Sequence, residues 1–257
     1  MGEDRVGLVL GRDQHIVGLG DADANVRAAA AFALGVRGDP SAADKLVFVA
    51  LDYHEADNDA LVRARALEAA TKLDRPELRE RLLDGLLDSD ARVRLEAAQG
   101  TSRWPITEPN ASAINQRLVD SLASEKDRDV IVYTLFALER RKAKEALDTF
   151  VVLSQSLDRD QRLFATRGLK ALAPDPRTAL ALLSALDDSG IALATIRSDG
   201  QKLVMGSIKP DWRVACEAAL ALGAFDVVNV GLNDNELLHE LPRALASESA
   251  HVRRCVW

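Results

Sequence analysis

The stretch Asp23-Ala-Asn-Val26-Arg27-Ala-Ala-Ala30-Ala-Phe-Ala-Leu34-Gly35 decides the fold. An Asp leads, Val stands three residues on with Arg directly after it, and a small residue and a Leu lie four and eight residues beyond the Val. Offsets of 0, 4 and 8 fall on one stripe of an α-helix, so Val26, Ala30 and Leu34 are expected to face a neighbour together. Asp23 stands where an N-cap belongs. Its carboxylate can accept the orphan amide protons of the first turn, a contribution of about 1 kcal/mol. The central Ala permits close helix approach, and a larger side chain there is expected to overpack the seam.

Outward from this stretch the pattern repeats. It returns as Asp59-Ala-Leu-Val62-Arg63 with Ala66 and as Asp90-Ala-Arg-Val93-Arg94 with Ala97. Thinner copies run from Asp127 to Val130 with Thr134 and Leu138, and from Asp158 to Gln161-Arg162 with Ala165 and Leu169. Two more begin at Asp211, with Val214, Ala218 and Leu222, and at Ser249, with Val252-Arg253. The Val-type positions are 36, 31, 37, 31, 53 and 38 residues apart, and all but one interval suit a repeat of two helices. Second helices are expected over 41–51, 76–87, 111–123, 142–154, 176–186 and 235–246, several starting at Pro40, Pro76 or Pro176, since proline is tolerated in the first helical turn. One helix pair cannot bury its own apolar face, so the pairs must stack.

Composition agrees. The 257 residues are 47% hydrophobic but only 4% aromatic, an Ala, Leu and Val surface that suits packed helices better than sheets. With Lys+Arg 33 against Asp+Glu 40 the net charge is −7, which argues against a nucleic-acid backbone or an anionic membrane as the main partner. No run reaches the eighteen apolar residues that a bilayer needs, and the short run Val6 to Leu10 is too brief for a secretory signal. Two cysteines, Cys216 and Cys255, make no disulfide framework and no CxxC metal pair, which points to a reducing, cytoplasmic setting.

The pattern Asp-x-x-Val-Arg-x-x-Ala-x-x-Ala-Leu-Gly, complete from Asp23 to Gly35 and echoed from Asp211 to Gly223, resembles the short bacterial form of the HEAT repeat, an armadillo-like α-solenoid motif. The resemblance covers the chain from about residue 6 onward. It implies an all-α, right-handed αα superhelix of about six helix pairs, a single solenoid over residues 1–257, and a role as a non-catalytic scaffold for protein–protein interaction. It also implies a ladder of charge-assisted hydrogen bonds between neighbouring repeats, assigned to Asp23, Asp59, Asp90 and Asp158 with Arg27, Arg63, Arg94 and Arg162. Ile131 and Ala215 occupy the Arg position in two repeats and leave the ladder unassigned there.

The long interval holds two apolar runs, Ile191 to Ile196 and Leu203 to Ile208, around Ser198-Asp199-Gly200, and reads as a β-hairpin inserted over residues 190–208. Its tip, Arg197, Asp199 and Lys202, is the candidate partner contact. Residues 250–257 read as an unfinished seventh repeat, whose uncapped end is a candidate surface for association. Bacterial proteins that join a HEAT-like array to a cyclophilin-type peptidyl-prolyl isomerase resemble this chain in repeat style. The implied alternative is the recognition arm of such an enzyme, with the catalytic domain beyond Trp257.

Little else suggests chemistry. His54-Glu55 and His239-Glu240 are similar to the His-Glu pairs of deoxyhypusine hydroxylase, a HEAT-like diiron enzyme, but that family needs four such pairs. HEAT-like alkylpurine DNA glycosylases have a comparable length and stack aromatics on the lesion. Trp104 and Trp212 are read here as packing residues, and the acidic balance disfavours phosphate contacts. The pairs Asp57/Asp59 and Asp88/Asp90 have calcium-ligand character but fall where caps belong. Cys216, beside alanines on a helix, reads as a small buried hydrophobe. No catalytic residue, cofactor or metal is therefore expected, and the expected partner is another protein.

Overall fold

The computed structural model describes residues 12–52, 56–107, 109–189, 211–225 and 254–255. The chain divides into two compact units, residues 1–137 and 138–257. Among the described residues every regular element is a helix and none is a strand.

In the N-terminal unit, α1 (Arg12–Gly18) packs on α2 (Ala24–Arg37), which packs on α4 (Ala60–Leu73) and through it on α6 (Ala91–Thr101). These are the helices of the Asp-Val-Arg pattern. Their partners are α3 (Ala43–Leu51), α5 (Arg79–Leu82) with the 3₁₀ turn Leu83–Leu87, and α7 (Ala111–Leu122). Helix α8 (Arg128–Arg140) crosses the boundary between the units. In the C-terminal unit, α9 (Leu147–Leu153) and α11 (Pro176–Ala185) are the second helices, and α10 (Arg159–Leu172) packs on α12 (Trp212–Leu222).

The stripe behaves as its spacing dictates. Ala66, Ala97, Ala165 and Ala218 are buried, as are Val62, Val93, Val130 and Val214. Val26, in the first repeat, is the exception and is exposed. Each leading Asp caps its helix: Asp23 accepts from Asn25 N–H at 2.8 Å, Asp59 from Leu61 N–H at 2.8 Å, and Asp90 from Arg92 N–H at 2.9 Å. Asp127, Asp158 and Asp211 accept from Asp129, Asp160 and Arg213 at 3.0, 2.9 and 3.0 Å. Second helices start later than the sequence suggested, because 3₁₀ turns over Pro40–Ala42, Pro76–Leu78 and Lys144–Ala146 precede α3, α5 and α9. The expected helix over 235–246, the hairpin over 190–208 and the start of a seventh repeat at Ser249 lie outside the described residues.

The ladder exists, but its acids are not the capping ones. Arg27 donates to Asp57, with Nη2 to Oδ1 at 2.9 Å; Arg63 donates to Asp88 twice at 2.9 Å; Arg94 donates to Glu125 at 2.7 and 2.9 Å. In the C-terminal unit Arg162 donates to Asp188 at 2.9 Å. The expectation that Asp23, Asp59, Asp90 and Asp158 would receive Arg27, Arg63, Arg94 and Arg162 is corrected for a simple reason. Their carboxylates are already taken by the first turn of their own helices, so the acid two residues upstream receives the guanidinium. That acid also accepts the N–H of the capping residue, Asp57 from Asp59 and Asp88 from Asp90 at 2.8 Å, and Glu125 from Asp127 at 2.9 Å. Each Arg spends Nη1 on two carbonyls of its own entry turn, such as Asp57 and Asn58 for Arg63 at 2.9 and 3.1 Å. One guanidinium thus fixes two consecutive turns. Where Arg is absent, at Ile131, the position two before the next cap is Ser156, which has no carboxylate to offer.

This register also locates the insertion. Asp188 accepts from the backbone N–H of Asp211, the same contact that joins Asp57 to Asp59, but across 23 positions instead of two. With the extra 21 residues set aside, the interval from Gln161 to Val214 is 32 residues, an ordinary repeat.

The rungs set the acid response. The hydrogen bonds from Arg27 hold Asp57 below the usual carboxylate range against the opposing effect of burial, and those from Arg94 do the same for Glu125. Asp90 is lowered to about 2 by Arg92. Burial instead pushes Asp188, Glu96 and Glu139 up. For the lowered group, stability is in place above the unfolded-state value near 4 and is lost as pH falls through the lower native value. For the raised group the sign reverses, since acidification relieves the cost of the buried charge. Carboxyl-carbon NMR titration is expected to show Asp57, Asp90 and Glu125 protonating below about 4, and Glu96, Glu139 and Asp188 above their unfolded values.

Candidate interaction face

Residues three, six and ten positions after the Val of each first helix lie on a second stripe, about 130° around the helix from the buried one. In the N-terminal unit it carries Phe32 on α2, then Arg65, Glu68 and Lys72 on α4, then Glu96 on α6 with Arg103 just beyond its end. Phe32 is 43% exposed, with the Arg65 guanidinium and the Lys72 ammonium each 5.8 Å from its ring centroid. Glu68 holds both cations, Arg65 at 2.7 Å and Lys72 at 2.6 Å. Glu96 is pushed up by burial and by the neighbouring Glu68 charge, against Arg103, Arg65 and Lys72. Tyr133 and Phe136 hold the equivalent positions on α8, Tyr133 exposed and Phe136 half-buried.

The C-terminal unit repeats the arrangement with other residues. Arg167 lies 5.5 Å from the centroid of Phe164, both on α10, and is flanked by Glu139 at 3.3 Å and Glu217 of α12 at 3.8 Å. Lys170 pairs with Glu217 at 2.7 Å. The second oxygen of Glu139 is buried without a hydrogen-bond partner, and Leu220 on α12 is exposed. Burial pushes the Glu139 carboxyl up, with Arg167 opposing.

Among the described residues, Phe32, Tyr133 and Phe136 in the N-terminal unit and Phe164 in the C-terminal unit therefore hold stripe positions on their helices, Phe32 and Phe164 under cations. Half-exposed aromatics with guanidinium partners are the composition of binding hot spots. The rest of the chain offers less. An open hollow of about 600 Å³ in the N-terminal unit is lined by Leu87, Arg94, Arg117, Ser121 and Glu125 among others, but Arg94 is committed to Glu125 and Arg117 to Asp84.

The residues singled out from sequence fare differently. Arg197, Asp199 and Lys202 lie outside the described residues, as do His54-Glu55 and His239-Glu240. Trp104 is buried with Arg79 over its ring at 5.7 Å, and Trp212 is exposed. Among the described residues no group of three His, Cys, Asp or Glu could hold a metal ion. No helix among them is long and apolar enough to cross a membrane. Cys216 is corrected: it is half-buried and joined to Cys255 in a disulfide with Cα atoms 5.3 Å apart. A signal was present, since the two stand two and three residues after Val214 and Val252 in successive repeats. The stripe itself was overlooked because the pattern that defines the repeat draws attention to its buried side. Listing the aromatics by offset from each Val would have found it.

No family model matches the chain, and no curated protein matches its sequence. Among solved structures it is similar to the complex of CpcE and CpcF of phycocyanin lyase from Nostoc sp. PCC7120, at 22% identity and a TM-score of 0.53, over 96% of this chain and 92% of that one. It is similar also to YibA of E. coli, at 19% identity and a TM-score of 0.55, over 99% and 94%. Both are HEAT-like helical repeat proteins, and the fold of this chain is an all-α fold of the same kind.

Proposed function

We propose that the chain is a non-catalytic scaffold that binds another protein through the offset-three, six and ten stripe of its first helices. The observation that carries this reading is the concentration of half-exposed aromatics, with cations over them, on a helix face that the ladder leaves untouched. That a structure of similar fold is a complex of two protein chains adds support. So does the acidic balance, which disfavours a nucleic-acid backbone or an anionic membrane as the main partner. The charged residues of the stripe pair with one another and with the aromatics, an arrangement suited to specificity rather than bond making.

The test is affinity capture with the complete open reading frame as bait, followed by Phe32→Asp and Phe164→Asp variants. A specific partner is expected to lose at least about tenfold in affinity with either variant, as truncation at a hot spot does. Val152→Asp, on the exposed side of α9, is expected to leave binding intact. Binding unaffected by either Phe variant would remove the reading. The second reading is the recognition arm of a longer enzyme of the cyclophilin-type prolyl isomerase kind. It rests on repeat style and is decided by the full-length reading frame. The glycosylase reading requires binding to DNA that falls steeply with salt, which a filter-binding series tests.

A further inference from the structure

We infer that Cys216 and Cys255 form a reversible thiol–disulfide lock that fastens the C-terminal segment to α12. The two residues are the only cysteines of the chain, and the structure joins them. Their Cα separation of 5.3 Å lies within the range that a disulfide spans without moving backbone. They belong to successive copies of the repeat, 39 positions apart, so the bond ties the last complete first helix to the residues that begin the next copy. Both residues are half-buried rather than sealed in the core, the setting in which exchange with small thiols and disulfides proceeds. Cys216 is next to Glu217 and one helical turn from Leu220, so the lock is anchored at the edge of the exposed stripe of α12. It holds whatever binds that stripe, because it depends on the pairing alone.

The exchange balances with a low-molecular-weight disulfide as oxidant. One cysteine thiolate attacks a sulfur of that disulfide, breaking its S–S bond, releasing one small thiol and leaving a mixed disulfide. The second cysteine thiolate then displaces the remaining small thiol and closes the protein bond. Two protein thiols are oxidised by two electrons, and one small disulfide is reduced to two thiols that carry away the two protons. Excess small thiol runs the same steps backward. Closing a long chain segment restricts the unfolded ensemble and suppresses local opening of the joined elements.

The experiment uses the full chain, equilibrated with oxidised glutathione or with tris(2-carboxyethyl)phosphine, and reads both alkylation by iodoacetamide and amide hydrogen exchange. The oxidised protein is expected to take up no alkyl group and the reduced protein two. Amides of α12 are expected to exchange at least about tenfold faster after reduction and to recover on returning to oxidised glutathione, while those of α2 and α4 stay unchanged. Cys216→Ser and Cys255→Ser are each expected to show the fast α12 exchange in both buffers. The second variant lies off α12, so it reads the bond even if the first perturbs the helix. Two alkyl groups on the oxidised protein, or α12 exchange that does not respond to reductant, would overturn the inference. So would a reductant response that persists in Cys255→Ser.

Discussion

Replacing Arg63 with Ala is expected to lower stability by about 3 kcal/mol, because it strips two charge-assisted bonds from Asp88 and two from carbonyls of its own turn. Both side chains of the pair are only slightly exposed, 13% and 12%, so the abandoned carboxylate stays largely desolvated. Arg63→Lys is expected to recover little: an ammonium keeps the charge but cannot fork between a carboxylate and two carbonyls. A double-mutant cycle with Asp88→Ala should return a coupling of about 1 kcal/mol or more. Urea unfolding followed by circular dichroism measures all five proteins. An Arg63→Ala midpoint equal to that of the parent would show that the rung contributes nothing.

The second large effect lies in the seam between α2 and α4. A Cβ at Gly35 would fall 2.8 Å from the Cβ and 2.9 Å from the Cα of Ala69, and a backbone atom cannot rotate out of the way. Gly35→Leu is therefore expected to cost about 3 kcal/mol, the upper end of the overpacking range, by forcing the two helices apart. Gly38 provides the contrast. It closes α2 in the left-handed region at φ 72° with open space around it, so Gly38→Ala is expected to cost only about 1 kcal/mol from backbone strain. Equal losses at the two sites would mean that the helices do not approach as closely as the seam requires.

The all-α repeat was legible because its determinants are local: a carboxylate that caps within three residues and a stripe set by helical period. The six caps from Asp23 to Asp211 follow from those rules alone. The rung acids were not legible, because each acid two residues before a cap satisfies a guanidinium from the preceding repeat, a contact 25 to 31 positions away for Arg63, Arg27 and Arg94. Asp57-Asn-Asp59 could be read as cap and spacer, but only the stacked neighbour shows that Asp57 is the rung. The interaction stripe is intermediate. Phe32 and Phe164 stand at fixed offsets in the sequence, yet the cations over their rings come from different places. Arg65 and Lys72 reach Phe32 from the next first helix, whereas Arg167 reaches Phe164 from one turn along the same helix.

The most direct measurement places a photo-crosslinking amino acid singly at positions 32, 133 and 164 on the stripe, and at 152 and 180 on exposed positions of α9 and α11, in cells that make the full-length protein. A protein partner should be crosslinked from stripe positions, 32 and 133 in the N-terminal unit or 164 in the C-terminal unit, and not from 152 or 180. Crosslinks confined to 152 and 180, or none from the stripe to any protein, would contradict a scaffold that binds through the first-helix face.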